Sequence, residues 1–292
     1  MKREFPKILS IVWFQGEENI SQKIFKENIK NWKLLNPDWK INIVNDEQLR
    51  QACRNYSDDC LKVYDSFDLL HLKIDFGRYV LLYNTCTMYV DMDCYALKSL
   101  DRSPDINTLI NMYTNNEIDN VIGLSTINLD SFESYIFIGN SFTINNAIMI
   151  SSPKNPVIKL LIDLIITKNL NNITNYSSDY SRIQNITGPV IINKFFKQFI
   201  KNPNYDCYIK VFPYYIFEPN QPFGDYDIKD STLAIHKFEM TWISNNLKNL
   251  MRFYYKIKIF LVIFIVFIII YLIFNIITGR IIVPRASVIK SH

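Results

Sequence analysis

LLHLKIDFGRYVLLYNTCTMYVDMD, Leu69 to Asp93, changes period half-way along, and that change decides the fold. Leu70, Ile74, Gly77 and Leu81 recur at helical spacing and make one stripe, with Asp75, Arg78, Tyr79 and Leu82 on the adjoining face. The turn-like Asn84-Thr85-Cys86-Thr87 then hands over to Met88-Tyr89-Val90, a short apolar run that reads as a buried strand ending in Asp91-Met92-Asp93. If the strand period of two persists, Asp91 and Asp93 point to one side and Met92 to the other. Two like charges converging at the end of a buried strand are unfavourable unless a cation or a proton neutralises them. Oxygen ligands suit Mg²⁺ or Mn²⁺, and such sites take one or two carboxylates with substrate phosphates completing the shell. The pattern therefore points to a diphosphate-bearing substrate.

Outward from this stretch the same alternation repeats. Ile8 to Phe14 reads as a first strand, followed by a loop at Gly16-Glu17-Glu18-Asn19. Ser21 is placed to cap a helix over Ile24 to Leu35, which Asn36-Pro37-Asp38 ends. Lys40 to Val44 is a second strand and Asn45 to Tyr56 a second helix. Strand, helix, strand, helix at these lengths predicts a parallel α/β sheet with its active edge at the strand C-termini, where Trp13 and Asp91 would both lie. Further on, the pattern predicts helices at Asp105 to Asn115, Pro156 to Leu170 and Pro189 to Ile200. Strands are predicted at Val121 to Leu124 and Asn146 to Ser151, and a polar loop at Asn169 to Asp179.

Composition sets bounds on function. The net charge of +4 over 292 residues is modest and its cations are dispersed, which argues against a nucleic-acid partner. The five cysteines, Cys53, Cys60, Cys86, Cys94 and Cys207, form neither a CxxC pair nor a disulfide framework and read as reduced packing residues. The N-terminus lacks the apolar core of a signal peptide. Sequons at Asn19, Asn55, Asn172, Asn175 and Asn185 carry little weight in so Asn-rich a chain.

KILSIVWFQGEEN, NPDWKINIVNDEQL, the IDFGRY helix and LYNTCTMYVDMD together resemble the sugar transferases with a DXD motif. The similar groups are the capsular polysaccharide synthesis type and the Och-type and inositol-phosphoceramide mannosyltransferases, with the large glucosylating toxins more distant. NNAIMISSPKNP, the TGP at Thr187 to Pro189, and His236 followed by Trp242 extend the resemblance over roughly residues 5 to 245. It implies a GT-A, Rossmann-like nucleotide-sugar fold, a divalent metal (Mn²⁺ or Mg²⁺) on Asp91 and Asp93, and donor sugar or ribose contacts from Asp75 and Arg78. It further implies Trp13 near the nucleobase, Asn146 toward the donor sugar, and His236 with Trp242 closing over the phosphates. The family pattern usually has Gly-Gly before the strand where this chain has Cys86-Thr87. A Cβ-bearing residue in a left-handed turn there would cost roughly 1 kcal/mol or more.

Each signal also has a plainer meaning. Asp225-Tyr226-Asp227 is a second Asp-x-Asp with no buried strand before it and reads as a solvated loop. Asp75 and Arg78 taken alone are an i,i+3 ion pair worth about 0.2 to 0.5 kcal/mol. Trp13 alone is a core aromatic, His236 alone a satisfied structural histidine, and Tyr214, Tyr215 and Phe217 are either a sugar platform or core.

Ile259 to Ile277 is an uncharged run of 19 residues, with Tyr271 and Asn275 its polar interruptions. It would span roughly 28 Å as a helix, close to a hydrocarbon core of about 30 Å. Tyr254 and Tyr255 sit at its entrance, and Lys or Arg residues flank both ends. The expected organisation is a catalytic domain over 1–250, a transmembrane helix over 257–278 and a short polar tail over 279–292. With so little chain after the helix, insertion as a tail anchor is expected, which leaves the domain cytosolic; luminal residence, as the mannosyltransferase resemblance implies, is the alternative. The expected activity is metal-dependent and, as the resemblance implies, retaining: transfer of a hexose from a nucleotide-diphosphate sugar to a glycan or glycolipid acceptor. Two alternatives stay open, a catalytically inactive membrane-tethered sugar-binding or scaffold protein and a metal-dependent phosphohydrolase.

Overall fold

The computed structural model describes residues 3–127, 143–171, 176, 178–201, 206–219, 226–239 and 245–278. The chain divides into two units, Met1–Trp242 and Ile243–His292.

The first unit is built on a six-stranded sheet in the order β2-β1-β3-β6-β5-β7. Its strands are β1 (Ile8–Val12), β2 (Lys40–Val44), β3 (Met88–Val90), β5 (Val121–Thr126), β6 (Ile144–Ser151) and β7 (Tyr208–Val211). β4 (Cys94–Ala96) and β8 (Ala234–His236) pair antiparallel as a separate ribbon. The expectation of a parallel sheet needs one correction. β1 is parallel to β2 and β3, and β5 to β7, but β6 runs antiparallel to both β3 and β5. β6 follows β5 in sequence and pairs with it directly, which only an antiparallel neighbour can do without a crossover.

Helices cover both faces. The alternation of β3 divides the core: Tyr89 joins the apolar cluster on one face, Met88 and Val90 that on the other. Packed on the Tyr89 side are α2 (Asp46–Tyr56), α3 (Asp58–Ser66), α4 (Leu70–Asn84), α6 (Pro156–Leu170), α7 (Asp179–Ile186) and α8 (Pro189–Lys201). On the other side lie α1 (Lys23–Leu35), α5 (Pro104–Thr114) and the single turn α9 (Tyr214–Phe217). The caps explain several boundaries. Asn45 and Gln48 close a reciprocal capping box on α2, Ser57 caps α3, and Ser103 with Pro104 at the first position starts α5.

Some local expectations differ from what the chain does. β1 stops at Val12 because Trp13–Gly16 turns, with Gly16 at φ 93° and its N–H on the Trp13 carbonyl at 2.9 Å. The α1 cap is Gln22, with no side-chain bond from it, so Ser21 does not cap this helix. α4 is no one-stripe helix: Leu70 is exposed while Leu72 and the whole run Asp75–Leu82 are buried. It lies under the sheet with α2, α3, α6 and α7 around it, so almost every side is interior. Gly77 permits the closest approach, since a Cβ there would come within 2.7 Å of a Leu49 methyl. Cys86 and Thr87 are not in a left-handed turn. Among the described non-glycine residues only Asn116, Lys154 and Phe238 have positive φ, so the Gly-Gly departure costs no backbone strain. Thr87 instead donates its hydroxyl to the Pro6 carbonyl and pins β3 to β1. Of the polar loop expected over Asn169 to Asp179, residues 172–175 and 177 lie outside the described residues, and Asn169 and Leu170 still belong to α6.

In the second unit α10 (Asn245–Ile277) is a single 33-residue helix. Its window Phe260–Ile277 has mean hydropathy 3.2 and is 6% buried, so it is long and apolar enough to cross a membrane and is not a core helix.

Candidate active site

The site grows from the end of β3. Tyr89 and Asp91 are two residues apart and share the α4 side of the sheet, so the Tyr89 hydroxyl donates to Asp91 Oδ1 at 2.7 Å. Met92 turns to the opposite face and is buried there. Beneath Asp91, α4 presents Arg78, its guanidinium 4.7 Å from the centre of the Tyr89 ring. Arg78 bonds Asp75 through Nη2, Asp91 Oδ2 at 3.4 Å and the Asn146 carbonyl at 2.6 Å through Nη1. Burial opposes its charge, yet Asp75 and Asp91 overrule that and hold the guanidinium well above its ordinary value. Asn146 donates to Asp75 Oδ1 at 3.3 Å and to the Tyr79 hydroxyl at 3.1 Å. Thr187, from the TGP turn, reaches Asp75 Oδ2 at 3.5 Å, and Gly188 beside it has no room for a Cβ, which would sit 2.9 Å from the Ile183 carbonyl oxygen.

Past Met92 the chain turns, with the Cys94 N–H on the Asp91 carbonyl at 3.0 Å, and enters the β4–β8 ribbon. Cys94 stands opposite His236, which puts the imidazole Nε2 3.4 Å from Asp93 Oδ1. Asp93 also accepts the Glu239 N–H at 2.9 Å, a reach that the left-handed Phe238 (φ 51°) allows, and the Phe238 ring lies 3.9 Å from the imidazole. His236 Nδ1 faces Glu218 Oε2 at 2.9 Å. Burial works against a charged imidazole, but Asp93 and Glu218 on either side hold His236 well above its usual range. Burial also raises Asp93, which His236 and the Glu239 N–H more than offset, leaving it below the ordinary carboxylate value. Asp91 stands differently. Burial pushes it up to about 6; Arg78 pulls it down and the neighbouring Asp93 adds to the rise.

These residues fit a divalent cation. Asp91 is raised first by burial and then by the neighbouring Asp93 carboxylate, a charge that a cation would offset, and the two side chains remain 23% and 19% exposed in otherwise closed surroundings. Asp93, Cys94 and His236 bring ligand atoms within 4.8 Å of one another. Burial pushes the Cys94 thiol well above its usual value, so it stays protonated and is no ligand. The carboxylate oxygens of Asp91 and Asp93 suit Mn²⁺ or Mg²⁺, and His236, held protonated between Asp93 and Glu218, would join them only by giving up its Nε2 proton as the cation binds.

The structure thus brings Asp75, Arg78, Asp91, Asp93, Asn146 and His236 into one buried polar network. Trp13 sits two residues beyond Ile11, whose register partner is Val90, and so reaches the same sheet edge. Its indole N–H is buried without a protein partner among the described residues. Trp242 and Asp225 lie outside the described residues. Asp227 is elsewhere, on an exposed segment, bonded by the Tyr214 hydroxyl at 2.7 Å and paired with Lys229. Sequence reasoning missed Tyr89, Tyr79, Asn145 and Glu218. The period of two within β3 places Tyr89 on the side of Asp91 and would have found it, whereas it does not run on to Asp93, because β3 ends at Val90 and Met92–Asp93 is a turn; no local signal marks Glu218.

Residues 23–115 match the family described as the glycosyltransferase sugar-binding region containing DXD motif. Over that third of its length the chain is similar to DXD-type glycosyltransferases. An uncharacterized glycosyltransferase of Acanthamoeba polyphaga mimivirus is 25% identical over 198 residues, covering 68% of this chain and 66% of that protein. The initiation-specific alpha-1,6-mannosyltransferase of Candida albicans is 31% identical over 103 residues, covering 34% of this chain and 27% of that protein. The chain therefore spans just under two thirds of the first relative and about a quarter of the second. Among solved structures, the PaToxG glycosyltransferase aligns with TM-score 0.45 at 14% identity, covering 70% of this chain and 73% of that one. A glycosyltransferase involved in glycosylating the major capsid of PBCV-1 aligns with TM-score 0.43 at 12% identity, covering 85% and 99%.

Proposed function

We propose that this protein is a metal-dependent hexosyltransferase of GT-A type that moves a sugar from a nucleotide-diphosphate donor to a glycan or glycolipid acceptor. The observation that carries the reading is the Asp91/Asp93 pair at the C-terminal end of a central strand, partly open and short of positive charge. Asp91 and Asp93, with His236, would hold Mn²⁺ or Mg²⁺, whose charge offsets that of a diphosphate leaving group. Arg78 does not move in this scheme: locked to Asp75, Asp91 and the Asn146 carbonyl, it fixes the Asp91 carboxylate from below. Trp13, at the neighbouring strand end, offers an aromatic face and an unused N–H for the nucleoside. We assign the catalytic domain to 1–250 and a membrane anchor to 257–278, which would hold the site near a membrane-borne acceptor.

The inactive-scaffold alternative loses its motive, since Cys86-Thr87 imposes no left-handed strain. Incubating the full chain with UDP- and GDP-sugars, mannosyl donors first, with Mn²⁺ or with chelator, tests the proposal. Sugar transfer or donor hydrolysis that chelator abolishes is expected. No turnover and no donor binding by calorimetry would favour the scaffold, and phosphate release from simple phosphoesters the hydrolase.

A further inference from the structure

Behind His236, on the side away from Asp93, lies a second carboxylate that the proposed chemistry does not use. Glu218 is fully buried, directly after the α9 turn, its N–H on the Tyr214 carbonyl at 2.7 Å. The same turn is tied to β8: the Leu233 N–H donates to the Ile216 carbonyl at 2.8 Å and the Thr232 hydroxyl to the Tyr215 carbonyl at 2.7 Å. Glu218 and His236 are therefore carried by one cross-linked piece of backbone. A buried carboxylate costs several kcal/mol unless it is paired, so its placement calls for a partner. Both its bonds are to Oε2, from Asn145 Nδ2 at 2.5 Å and His236 Nδ1 at 2.9 Å, and Oε1 has no partner among the described residues.

The proton positions follow from this arrangement. The Asn146 backbone N–H donates to Asn145 Oδ1 at 2.9 Å, so the Asn145 amide must present its NH₂ to Glu218. Glu218 Oε2 already accepts from that NH₂, so it faces His236 as an acceptor and His236 Nδ1 carries the proton they share. The other ring nitrogen, Nε2, is then the one turned to Asp93. Asn145 and Asn146 sit where the β5–β6 register shifts, Leu124 pairing with Met149 but Ser125 with Asn145, and such irregularities re-aim side chains.

We propose that Glu218, oriented by Asn145, is the positioning residue that fixes the ring of His236 with Nδ1 protonated and Nε2 facing Asp93. A histidine beside a metal is characteristically held this way, by a carboxylate on its far nitrogen. The cation arm of the test rests on the proposed function; the ring arm does not. His71, His236 and His292 are the only histidines, so ¹⁵N-histidine labelling of the full chain resolves His236. Long-range ¹H–¹⁵N spectra should show a protonated, hydrogen-bonded Nδ1 in the wild type. E218L should lose that signature and weaken binding of Mn²⁺ alone by about 10- to 100-fold. E218Q, whose amide oxygen still accepts, should keep Nδ1 protonated with its proton resonance shifted upfield and lose only severalfold in Mn²⁺ affinity. If E218L does not fold, E218Q decides: an unmoved His236 Nδ1–H resonance overturns the proposal. So does an E218L protein with wild-type ring state and Mn²⁺ affinity. A wild type that binds no Mn²⁺ would refute the cation site while the ring spectra still decide the role of Glu218.

Discussion

Single residues at this site are held by charges that the surrounding protein cannot replace. Arg78 is 4% exposed and serves two carboxylates and a carbonyl, so R78L should destabilise the protein by about 3 to 5 kcal/mol in urea unfolding. A loss under about 1 kcal/mol, the value of an exposed i,i+3 pair, would show that Asp75 and Asp91 find other partners. The two Asp-x-Asp copies make a second comparison. Removing groups that only support a metal ligand costs about 10- to 100-fold in affinity, so D93N, which would remove a ligand of the proposed site, should cost at least about 100-fold in Mn²⁺ binding. D227N should leave it unchanged, because Asp227 is bonded to Tyr214 and Lys229 on the surface. Equal loss by calorimetry from both would remove Asp93 from the site. The residues that the sequence could name are those whose pattern is local: Asp91 at the end of an apolar strand with Asp93 beside it in the Asp-x-Asp, which a turn rather than strand parity places, and Asp75 and Arg78 by helix spacing. Glu218 was illegible because its neighbours Phe217 and Pro219 describe a turn, and only the fold brings His236 to it.

At the scale of elements, α4 and the TGP turn carry the arrangement. His71 on α4 is pushed down to about 4 by burial and by the nearby Arg78 charge. Between pH 4 and 6.5 the unfolded chain takes up a proton there that the folded chain refuses, so stability is full above 6.5 and falls as pH drops through that window. Urea midpoints across it should flatten in H71Q relative to wild type; parallel curves would contradict the assignment. In the TGP turn, G188A would press a methyl on the Ile183 carbonyl and should cost about 1 to 3 kcal/mol in thermal or urea unfolding. Restoring the family's Gly-Gly in C86G/T87G should lower stability rather than raise it, by roughly 0.5 to 1 kcal/mol per site, since neither residue needs positive φ. β2, β3 and α6 stand where the residue pattern put them, because each is a strongly apolar run with clear punctuation. The three-residue strands β4 and β8 have no periodicity to read, and the antiparallel insertion of β6 depends on pairing between segments far apart in sequence.

For the whole molecule, the proposed anchor raises the question of the side of a membrane on which the first unit would stand. The Phe260–Ile277 window of α10 is apolar on all sides, and the chain before it carries Lys248, Arg252, Lys256 and Lys258 against Arg280, Arg285 and Lys290 beyond. Positive charge marks the cytosolic flank, and four against three favours the N-terminal side. The thiols add an independent argument. All five cysteines are free, and Cys53 and Cys60 are buried in one core cluster on the neighbouring helices α2 and α3, where the Cys53 thiol together with burial raises Cys60. In an oxidising lumen such a neighbouring pair is exposed to disulfide formation, whereas a reducing cytosol keeps both as packed thiols. We therefore predict a catalytic unit on the cytosolic face. Protease added to sealed vesicles bearing the full chain should digest residues 1–242 without detergent, and alkylation followed by mass spectrometry should find five reduced cysteines. Survival of that unit until detergent is added, together with a linked Cys53–Cys60 pair, would put the site in the lumen.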